Sequence, residues 1–303
     1  MAETETSRGP QRLSLGDFQL TAVSGGKLWI DGGNMFGVVP RNLWARQCPP
    51  DDQNRIPLDV NCIIVETPDT LGLIETGYGD KAAPKFRERH ALSPEPVLRK
   101  NLAAAGFAPE KFDWVIFTHL HFDHAGGATY RDAAGKLKPT FANAKHYVQR
   151  IEWEDATGDR PELAGSYYQD DFLPIAEAGL VELVEDDREL FPGISVQRTP
   201  GHTAGHQIVR LSSGGKTAVY LGDFCPITPH LQTFWSMAYD QFPLNVRRLR
   251  PTILGEIADK GHLAIFGHDP NVVFATLERT PRRDFGAVSL ESYTNGDGTE
   301  RQK

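Results

Sequence analysis

The order of predicted elements indicates a sandwich of two mixed β-sheets with helices on both outer faces. Strand-like runs followed by helical stretches occur once in each half of the chain. In addition, 40% of the 303 residues are hydrophobic, which is enough to form a full core. Because each sheet and each helix must bury one apolar face against another layer, two such halves pack sheet on sheet with the helices outside.

The first half contains four predicted strands and one long loop. Each strand prediction is a run of alternating or continuous branched apolar residues between Gly, Pro or Asp turns. The runs cover residues 18–23, 27–30, 61–66 and 70–75. Residues 35–59 are predicted as a loop with a short helix near residues 40–46, because Pro49 and Pro50 cannot continue a helix or a central strand.

A helix and a buried strand complete the first half. Residues 94–105 are predicted as a helix with Ser93 as its N-cap and Gly106 at its end. Residues 113–118 include the apolar run Trp-Val-Ile-Phe, which indicates a buried strand that leads directly into a group of histidines.

The second half repeats this order. A mixed helical stretch is predicted over residues 144–179, and a later helix over residues 244–259 has apolar residues at helical spacing. The strand predictions cover residues 194–199, 207–212, 217–221 and, as the last strand, 263–266. Residues 17–285 are therefore predicted as one domain, between a disordered N-terminal tail over residues 1–16 and a polar C-terminal tail over residues 286–303.

Composition argues against several classes of protein. Forty acidic against 32 basic residues give a net charge of −8, which is unfavourable for binding a nucleic-acid backbone. No apolar run approaches the ~18 residues of a membrane span, and the first residues lack the apolar segment of a signal peptide. The charge and the lack of a long apolar run therefore predict no nucleic-acid and no membrane partner. Cys48, Cys62 and Cys225 form an odd and sparse set, which is typical of a reducing compartment and predicts a cytoplasmic protein.

The run Thr-His-Leu-His-Phe-Asp-His-Ala-Gly-Gly at residues 118–127 predicts a metal site. In an extended chain His119, His121 and Asp123 point the same way, because side chains alternate with period two. His124 points the opposite way unless the chain turns, which the two glycines that follow would permit. Four candidate ligands divided between two directions fit two metal ions better than one.

Three further candidate ligands each follow a predicted strand. His202 lies in the Pro-Gly turn after residues 194–199, Asp223 follows residues 217–221, and His268 follows residues 263–266. Together with the four residues above they make a set of imidazoles and carboxylates. That set favours two divalent ions of borderline softness, with zinc first and iron, manganese or cobalt as alternatives.

This ordered set resembles the signature of the metallo-β-lactamase-fold hydrolases. Within that family, the motif HLHFDHAGG and the turn PGHTxGH resemble those of the acyl-homoserine lactonase and methyl-parathion-hydrolase group. The resemblance extends over about residues 18–269. The resemblance implies a four-layer αββα sandwich with a dinuclear site at one edge of its sheets. The first metal would be held by His119, His121 and His202. The second would be held by Asp123, His124 and His268, with Asp223 bridging the two.

The resemblance also implies a reaction. A hydroxide shared by two divalent ions would attack the carbonyl of a small-molecule lactone or ester, and phosphotriester hydrolysis is a frequent side activity of the resembled group. Asp123 would act in catalysis by orienting the nucleophile and passing a proton to the leaving alkoxide. His206 is expected to support a ligand rather than to bind metal, and Glu75 to hydrogen-bond a ligand histidine. Pro226 departs from the pattern, since the best-known small lactonases have a tyrosine there, so hydrolysis of signalling lactones is left open.

Four apolar residues are candidate substrate contacts: Phe36, Phe122, Trp235 and Met237. They would line a groove that suits an acyl chain or an aryl ester. Packing of loops onto the sandwich, or contacts in a homodimer, would explain the same residues equally well.

Two alternative functions remain open at this stage. One is hydrolysis of another substrate, a phosphoester or a β-lactam, by the same fold. The other is an iron or zinc protein without hydrolytic turnover. A structural zinc site would be closed by about four ligands, whereas seven mixed ligands leave coordination positions free, which favours an enzyme.

Overall fold

The strands of the first half pair into one mixed sheet. The computed structural model describes residues 9–163, 165–281, 284–290 and 294–295. This sheet consists of β1 (Gln11–Leu15), β2 (Phe18–Asp31), β3 (Arg55–Glu66), β4 (Leu71–Ile74), β5 (Trp114–Ile116), β8 (Lys145–Gln149), β9 (Val181–Val184) and β17 (Thr294–Asn295). Their order across the sheet is β17-β1-β2-β3-β4-β5-β8-β9. The neighbours from β4 to β9 are parallel and the other pairs are antiparallel.

The strands of the second half form a second mixed sheet in chain order. They are β10 (Arg188–Phe191), β11 (Ile194–Arg198), β12 (Gln207–Ser213), β13 (Lys216–Tyr220), β14 (Leu263–Ile265), β15 (Phe274–Arg279) and β16 (Phe285–Ser289). The β13–β14 pair is parallel because a helix connects the two strands, and the other pairs are antiparallel. A separate hairpin contains β6 (Thr129–Arg131) and β7 (Leu137–Pro139).

Three apolar clusters separate four layers. The central cluster joins residues of both sheets, such as Ile63 and Ile116 from the first and Val209 and Leu211 from the second. The helices are α1 (Gly32–Phe36), α2 (Arg41–Trp44), α3 (Pro84–His90), α4 (Val97–Ala104), α5 (Phe122–Ala125), α6 (Arg150–Thr157), α7 (Leu173–Glu177) and α8 (Pro243–Asp259). One outer cluster contains Leu98 and Leu102 of α4, and the other contains Ile253 and Leu254 of α8. The predicted αββα sandwich is confirmed.

Several first-half boundaries differ from the predictions. Residues 18–23 and 27–30 belong to one strand, β2, because an irregularity between Ser24 and Lys27 changes the register without ending the pairing with β3. The predicted loop ends earlier, since β3 already begins at Arg55 and includes Pro57. The helix predicted from residue 94 begins at Val97, and the Ser93 hydroxyl accepts a hydrogen bond from Glu95 N rather than capping that helix.

The second half contains strands that the sequence did not indicate. Strand β8 lies inside the stretch predicted as helical, because it extends the parallel sheet beside β5 and needs too few residues to show a clear period. Strands β9, β10, β15 and β16 were also missed, and residues 263–266 are therefore not the last strand.

The predicted tails are shorter than expected. Strand β1 lies within residues 1–16, and β16 extends past residue 285. Residues 1–8 and most of residues 291–303 lie outside the described residues, so the predicted disorder there stays a prediction. Among the helices of the described ranges, none is long and apolar enough to cross a membrane.

Candidate metal centre

The seven candidate ligands converge at one edge of the sandwich. Their donor atoms form three overlapping groups, and within each group the atoms lie within 4.8 Å of one another. The groups are His119 with His121 and His202, His119 with His124 and Asp223, and Asp123 with His124 and His268. Residues far apart in the chain meet because each follows the end of a strand that reaches the same edge.

Helix α5 sets the directions of the ligands in the first motif. His119 and His121 precede it, and Asp123 and His124 lie within it. The extended period-two arrangement expected for Asp123 is therefore wrong, since the chain turns directly after His121. The glycines that follow serve a different purpose, because a Cβ atom on Gly127 would lie 2.0 Å from Thr76 O. They allow the backbone of this motif to pack against the loop after β4.

Asp223 lies between the two halves of the site. Its Oδ2 is 3.2 Å from His202 Nε2, and its Oδ1 is 3.1 Å from His268 Nε2 and 3.4 Å from His124 Nε2. One carboxylate thus faces histidines of the first and of the second predicted metal group.

The chemistry of these donors fits metal ions. Nε2 of His119 and Nε2 of His121 are buried and have no hydrogen-bond partner among the described residues. Nε2 of His124 and Nε2 of His268 face each other at 3.1 Å. Unpartnered polar atoms are costly in a protein interior, whereas neutral imidazole nitrogens and carboxylate oxygens are ordinary ligands of divalent ions. The site is suited to two such ions.

Burial and the neighbouring charges together determine the pKa values of the histidines. Burial, together with the neighbouring histidines, lowers the pKa of His119 and His121 well below the usual value, so both rings are neutral and their lone pairs are available. Burial opposes protonation of His124 too, but the charges of Glu75, Asp223 and Asp123 raise its pKa well above the usual value. The carboxylates of Asp123 and Asp223 also raise the pKa of His268, and Asp223 raises that of His202; bound divalent cations would interact favourably with the same carboxylates.

The two predicted supporting residues contact the site through hydrogen bonds. His206 Nε2 accepts from the backbone N–H of Asp223 at 3.1 Å, and its Nδ1 lies 2.7 Å from the hydroxyl of Thr199. Glu75 Oε1 accepts from Thr118 N at 2.9 Å and lies 3.4 Å from His124 Nδ1. Both residues are completely buried.

Asp240 was missed by the sequence predictions. Its Oδ1 lies 3.1 Å from His202 Nδ1, and its Oδ2 accepts from Met237 N at 2.9 Å. This is the arrangement by which a carboxylate fixes the orientation of a metal-binding imidazole. No local pattern marks Asp240, because it lies 38 residues after the histidine it contacts.

Glu152 was also missed, although it connects the two main motifs. Oε1 accepts from Leu120 N at 3.0 Å and from the Tyr167 hydroxyl at 2.9 Å. Oε2 accepts from the Thr203 hydroxyl at 2.6 Å. The signal that could have revealed it is a carboxylate on the apolar side of a predicted helix.

The four candidate substrate contacts lie in different environments. Phe122 is half-buried and lines a cavity of about 470 Å³ beside the site. Phe36 is 0% exposed and stacks on Trp44 at 5.2 Å, with its edge against Trp235 at 5.4 Å. Trp235 and Met237 are buried as well. The packing alternative therefore describes the observed surroundings of these three, and contact with substrate stays a prediction.

Comparisons with known proteins agree with this geometry. The family model of the metallo-beta-lactamase superfamily matches residues 55–268. An N-acyl homoserine lactonase of Bacillus sp is 32% identical over 160 residues, which cover 50% of this chain and 57% of that enzyme. The chain thus spans less than two thirds of that relative. The N-acyl homoserine lactonase AttM of Rhizobium johnstonii is 31% identical over 204 residues, 61% of this chain and 71% of that enzyme.

Solved structures are similar over almost the whole chain. A probable metal-dependent hydrolase from Staphylococcus aureus has 30% identity and a TM-score of 0.83, and the match covers 92% of this chain and 99% of that one. The dizinc quorum-quenching lactonase AidC has 20% identity and a TM-score of 0.77, covering 93% and 97%. At that identity the second similarity concerns the fold alone.

Proposed function

The chain belongs to the metallo-beta-lactamase superfamily, and on that premise we propose that it is a hydrolase that uses two metal ions to open a lactone or cleave a carboxylic ester. The observation that carries the proposal is the position of Asp223 between two groups of histidines whose ring nitrogens face one another. Two relatives described as N-acyl homoserine lactonases support the choice of substrate class.

We assign the ligands as the sequence predicted them. His119, His121 and His202 would hold the first ion, Asp123, His124 and His268 the second, and Asp223 would contact both. Bound there, two zinc ions, or iron, manganese or cobalt in their place, would act as Lewis acids on the substrate oxygen and lower the pKa of water.

Asp123 would be the residue that moves a proton. Its side chain is 14% exposed, against 0% for His124 and 3% for His268, so its carboxylate is the one in this group that solvent and substrate reach. Oδ2 of Asp123 lies 3.6 Å from His268 Nε2, and Oδ1 lies 3.8 Å from His124 Nε2. It would orient the attacking water and then give a proton to the leaving alkoxide.

The cavity beside Phe122 would hold the organic part of the substrate. The rings of Phe86, Phe122 and Tyr168 pack edge to face around it, with Phe86 and Phe122 centred 4.9 Å apart. Among the described residues that line it, the one buried cation is Lys81, which pairs with Asp171 at 3.0 Å and donates to the backbone oxygen of Thr129 at 2.8 Å. An apolar chain or an aromatic ring therefore suits this cavity better than a charged group does.

The proposal also includes a cellular location and an oligomeric state. Cys48, Cys62 and Cys225 are all unpaired, which supports a reducing compartment such as the cytoplasm. A homodimer of one hydrolase domain per chain stays a prediction, and light scattering of the purified protein would test it.

Metal content and turnover, measured on one sample, test the function. The substrates would be a long-chain acyl-homoserine lactone, a simple γ-lactone, an aryl ester, a phosphotriester and a β-lactam. We expect two metal ions per chain and turnover of a lactone or ester that is lost with a chelator. Two ions with turnover only of the phosphotriester or the β-lactam would contradict the substrate class. One ion or none, without prior exposure to chelator, would contradict the dinuclear site.

A further inference from the structure

Hydrolysis of a lactone or ester places negative charge on the carbonyl oxygen, and a fixed hydrogen-bond donor aimed at that oxygen lowers the barrier. Two tyrosines close to the site already use their hydroxyls in the fold. The hydroxyl of Tyr167 donates to Glu152 at 2.9 Å, and that of Tyr78 accepts from Ser93 N at 3.2 Å. The phenol of a third tyrosine, Tyr239, instead has a hydrogen bond with the side chain of Asn34.

We propose that Tyr239 is a catalytic residue that donates a hydrogen bond from its phenol to an oxygen of the substrate at the metal site. The proposal rests on the proposed function and extends it, because Tyr239 belongs to neither the ligand motifs nor the predicted substrate contacts.

Hydrogen bonds hold the backbone before and after Tyr239. On one side, Ala238 N donates to Asn34 O at 2.8 Å. On the other side, Asp240 contacts the ligand His202 at 3.1 Å, and Gln241 N donates to His202 O at 3.0 Å. The residue between these anchors cannot move far without disturbing a metal ligand. The backbone that carries the phenol is therefore held in place, which favours a donor that acts on a transition state.

The ring of Tyr239 reaches the protein surface rather than lying in the core. Tyr239 is 37% exposed, while its neighbours Met237 and Asp240 are 3% and 6% exposed. The side chain of Asn34 hydrogen-bonds with the phenol and acts to lower its pKa, which is the effect of a donor to the phenol oxygen. The proton of the hydroxyl is then free for another acceptor.

Electrostatics keeps that proton in place at neutral pH. Partial burial raises the pKa of Tyr239 most, and the carboxylates of Asp123, Asp31 and Asp223 raise it further. Asp123 and Asp223 are two of the candidate ligands, and the segment that carries Tyr239 is connected to a third, His202, by Asp240 and by Gln241 N.

The test is Tyr239→Phe in the metal-loaded enzyme. We expect kcat/KM for the lactone or ester to fall about tenfold to hundredfold, mostly through kcat, which is at or below the loss known for one oxyanion donor. Metal content should stay equal to that of the unmodified enzyme. Calorimetric titration with the ring-opened hydroxy acid should show weaker binding, which is a readout independent of turnover.

Tyr130→Phe is the matched control, because its ring lies 4.7 Å below Arg99 in the β6–β7 hairpin, outside the candidate site. Full metal content and kcat/KM within twofold in Tyr239→Phe would overturn the role of Tyr239 alone. Loss of metal or of the folded state would overturn it too, since Tyr239 would then serve assembly of the site. No turnover of any lactone or ester by the unmodified enzyme would overturn the proposed function together with this proposal.

Discussion

Residues outside the ligand set fix the orientation of the candidate ligands. His206 accepts from the backbone of Asp223, Asp240 contacts His202 Nδ1, and the backbone oxygen of Asp59 lies 3.0 Å from His268 Nδ1. Each contact uses the atom that faces away from the site, so the atom that faces the site stays available. These supporting contacts orient the ligands, so the geometry of the metal site depends on them as well as on the ligands themselves.

Asp223→Ala should remove metal and activity together. The substitution deletes the carboxylate between the two histidine groups, so we expect fewer than two ions per chain and loss of hydrolysis, measured by elemental analysis and by the lactone assay. Asp69→Ala is the control, because Asp69 is an exposed carboxylate in the turn between β3 and β4. Two ions and unchanged turnover in Asp223→Ala would show that this residue bridges nothing.

Asp240→Ala should weaken metal binding without removing a ligand. The orientation of His202 would be lost, and loss of such a contact typically costs about tenfold to hundredfold in metal affinity. Competition with a chromogenic chelator measures this. Asp240→Asn is the informative comparison, since its amide oxygen still accepts from His202 while its amide nitrogen cannot accept from Met237 N. It should fall between the unmodified protein and Asp240→Ala, and equal affinity in all three would exclude an orienting role.

At the scale of elements, the short helix α5 determines how the ligands of the first motif are arranged. It turns the chain between His121 and Asp123, and hydrogen bonds from the loop after β4 hold it in place. Thr76 donates to His124 O from its backbone at 2.8 Å and from its hydroxyl at 2.7 Å, and Gly127 N donates to Gly77 O at 2.9 Å. The spacing of the motif predicted that the ligands face two directions. It did not predict that a helix separates them, because four residues are too few to show a helical period.

Gly127→Ala should disturb this support. The new Cβ would meet the backbone oxygen of Thr76, which cannot rotate away as a side chain would. We expect a loss of about 1–3 kcal/mol in the free energy of unfolding, the usual cost of overpacking, together with weaker metal binding. Urea denaturation measures the first effect. Gly165→Ala is the matched control, because a Cβ there meets no atom of the described residues within 4 Å. Equal midpoints for the two variants would mean that α5 adjusts freely.

At the scale of the whole molecule, the site lies where segments from the ends of the two sheets meet. We call this place the joint between the sheets. The first sheet supplies the residues after β5, and the second supplies those after β11, β13 and β14. Asn61 of β3 fastens the joint, since its side chain donates to Phe266 O at 2.9 Å and to Asp269 O at 3.0 Å. His268 lies between these two acceptors. The metal site and the contact between the sheets therefore depend on each other.

The sequence predicted this joint well where the signal was local. Each ligand followed an apolar run, so the strand ends and the layers could be inferred from the apolar pattern alone. Glu152 and Asp240 could not, because their roles depend on residues from other elements. Strand β8 was missed because its neighbours in the sheet, rather than its own pattern, make it a strand. Phe36 was offered as a substrate contact because an apolar residue in a loop has the same appearance in a sequence whether it lines a groove or fills the core.

Removal of metal should therefore weaken the whole domain rather than one loop. Ions bound to ligands from both sheets stabilise only the folded chain, by about 2.7 kcal/mol for one site at a hundred times its dissociation constant. For a chain of this size that corresponds to a fall in Tm after chelation of about 4 °C for one ion and about 8 °C for two. Scanning calorimetry should show one transition that moves as a unit and recovers when zinc is added back. Asp223→Ala should respond less to the same chelator. A Tm unaffected by chelation would mean that the folded state gains nothing from the ions, and that the joint holds through contacts such as those of Asn61 alone.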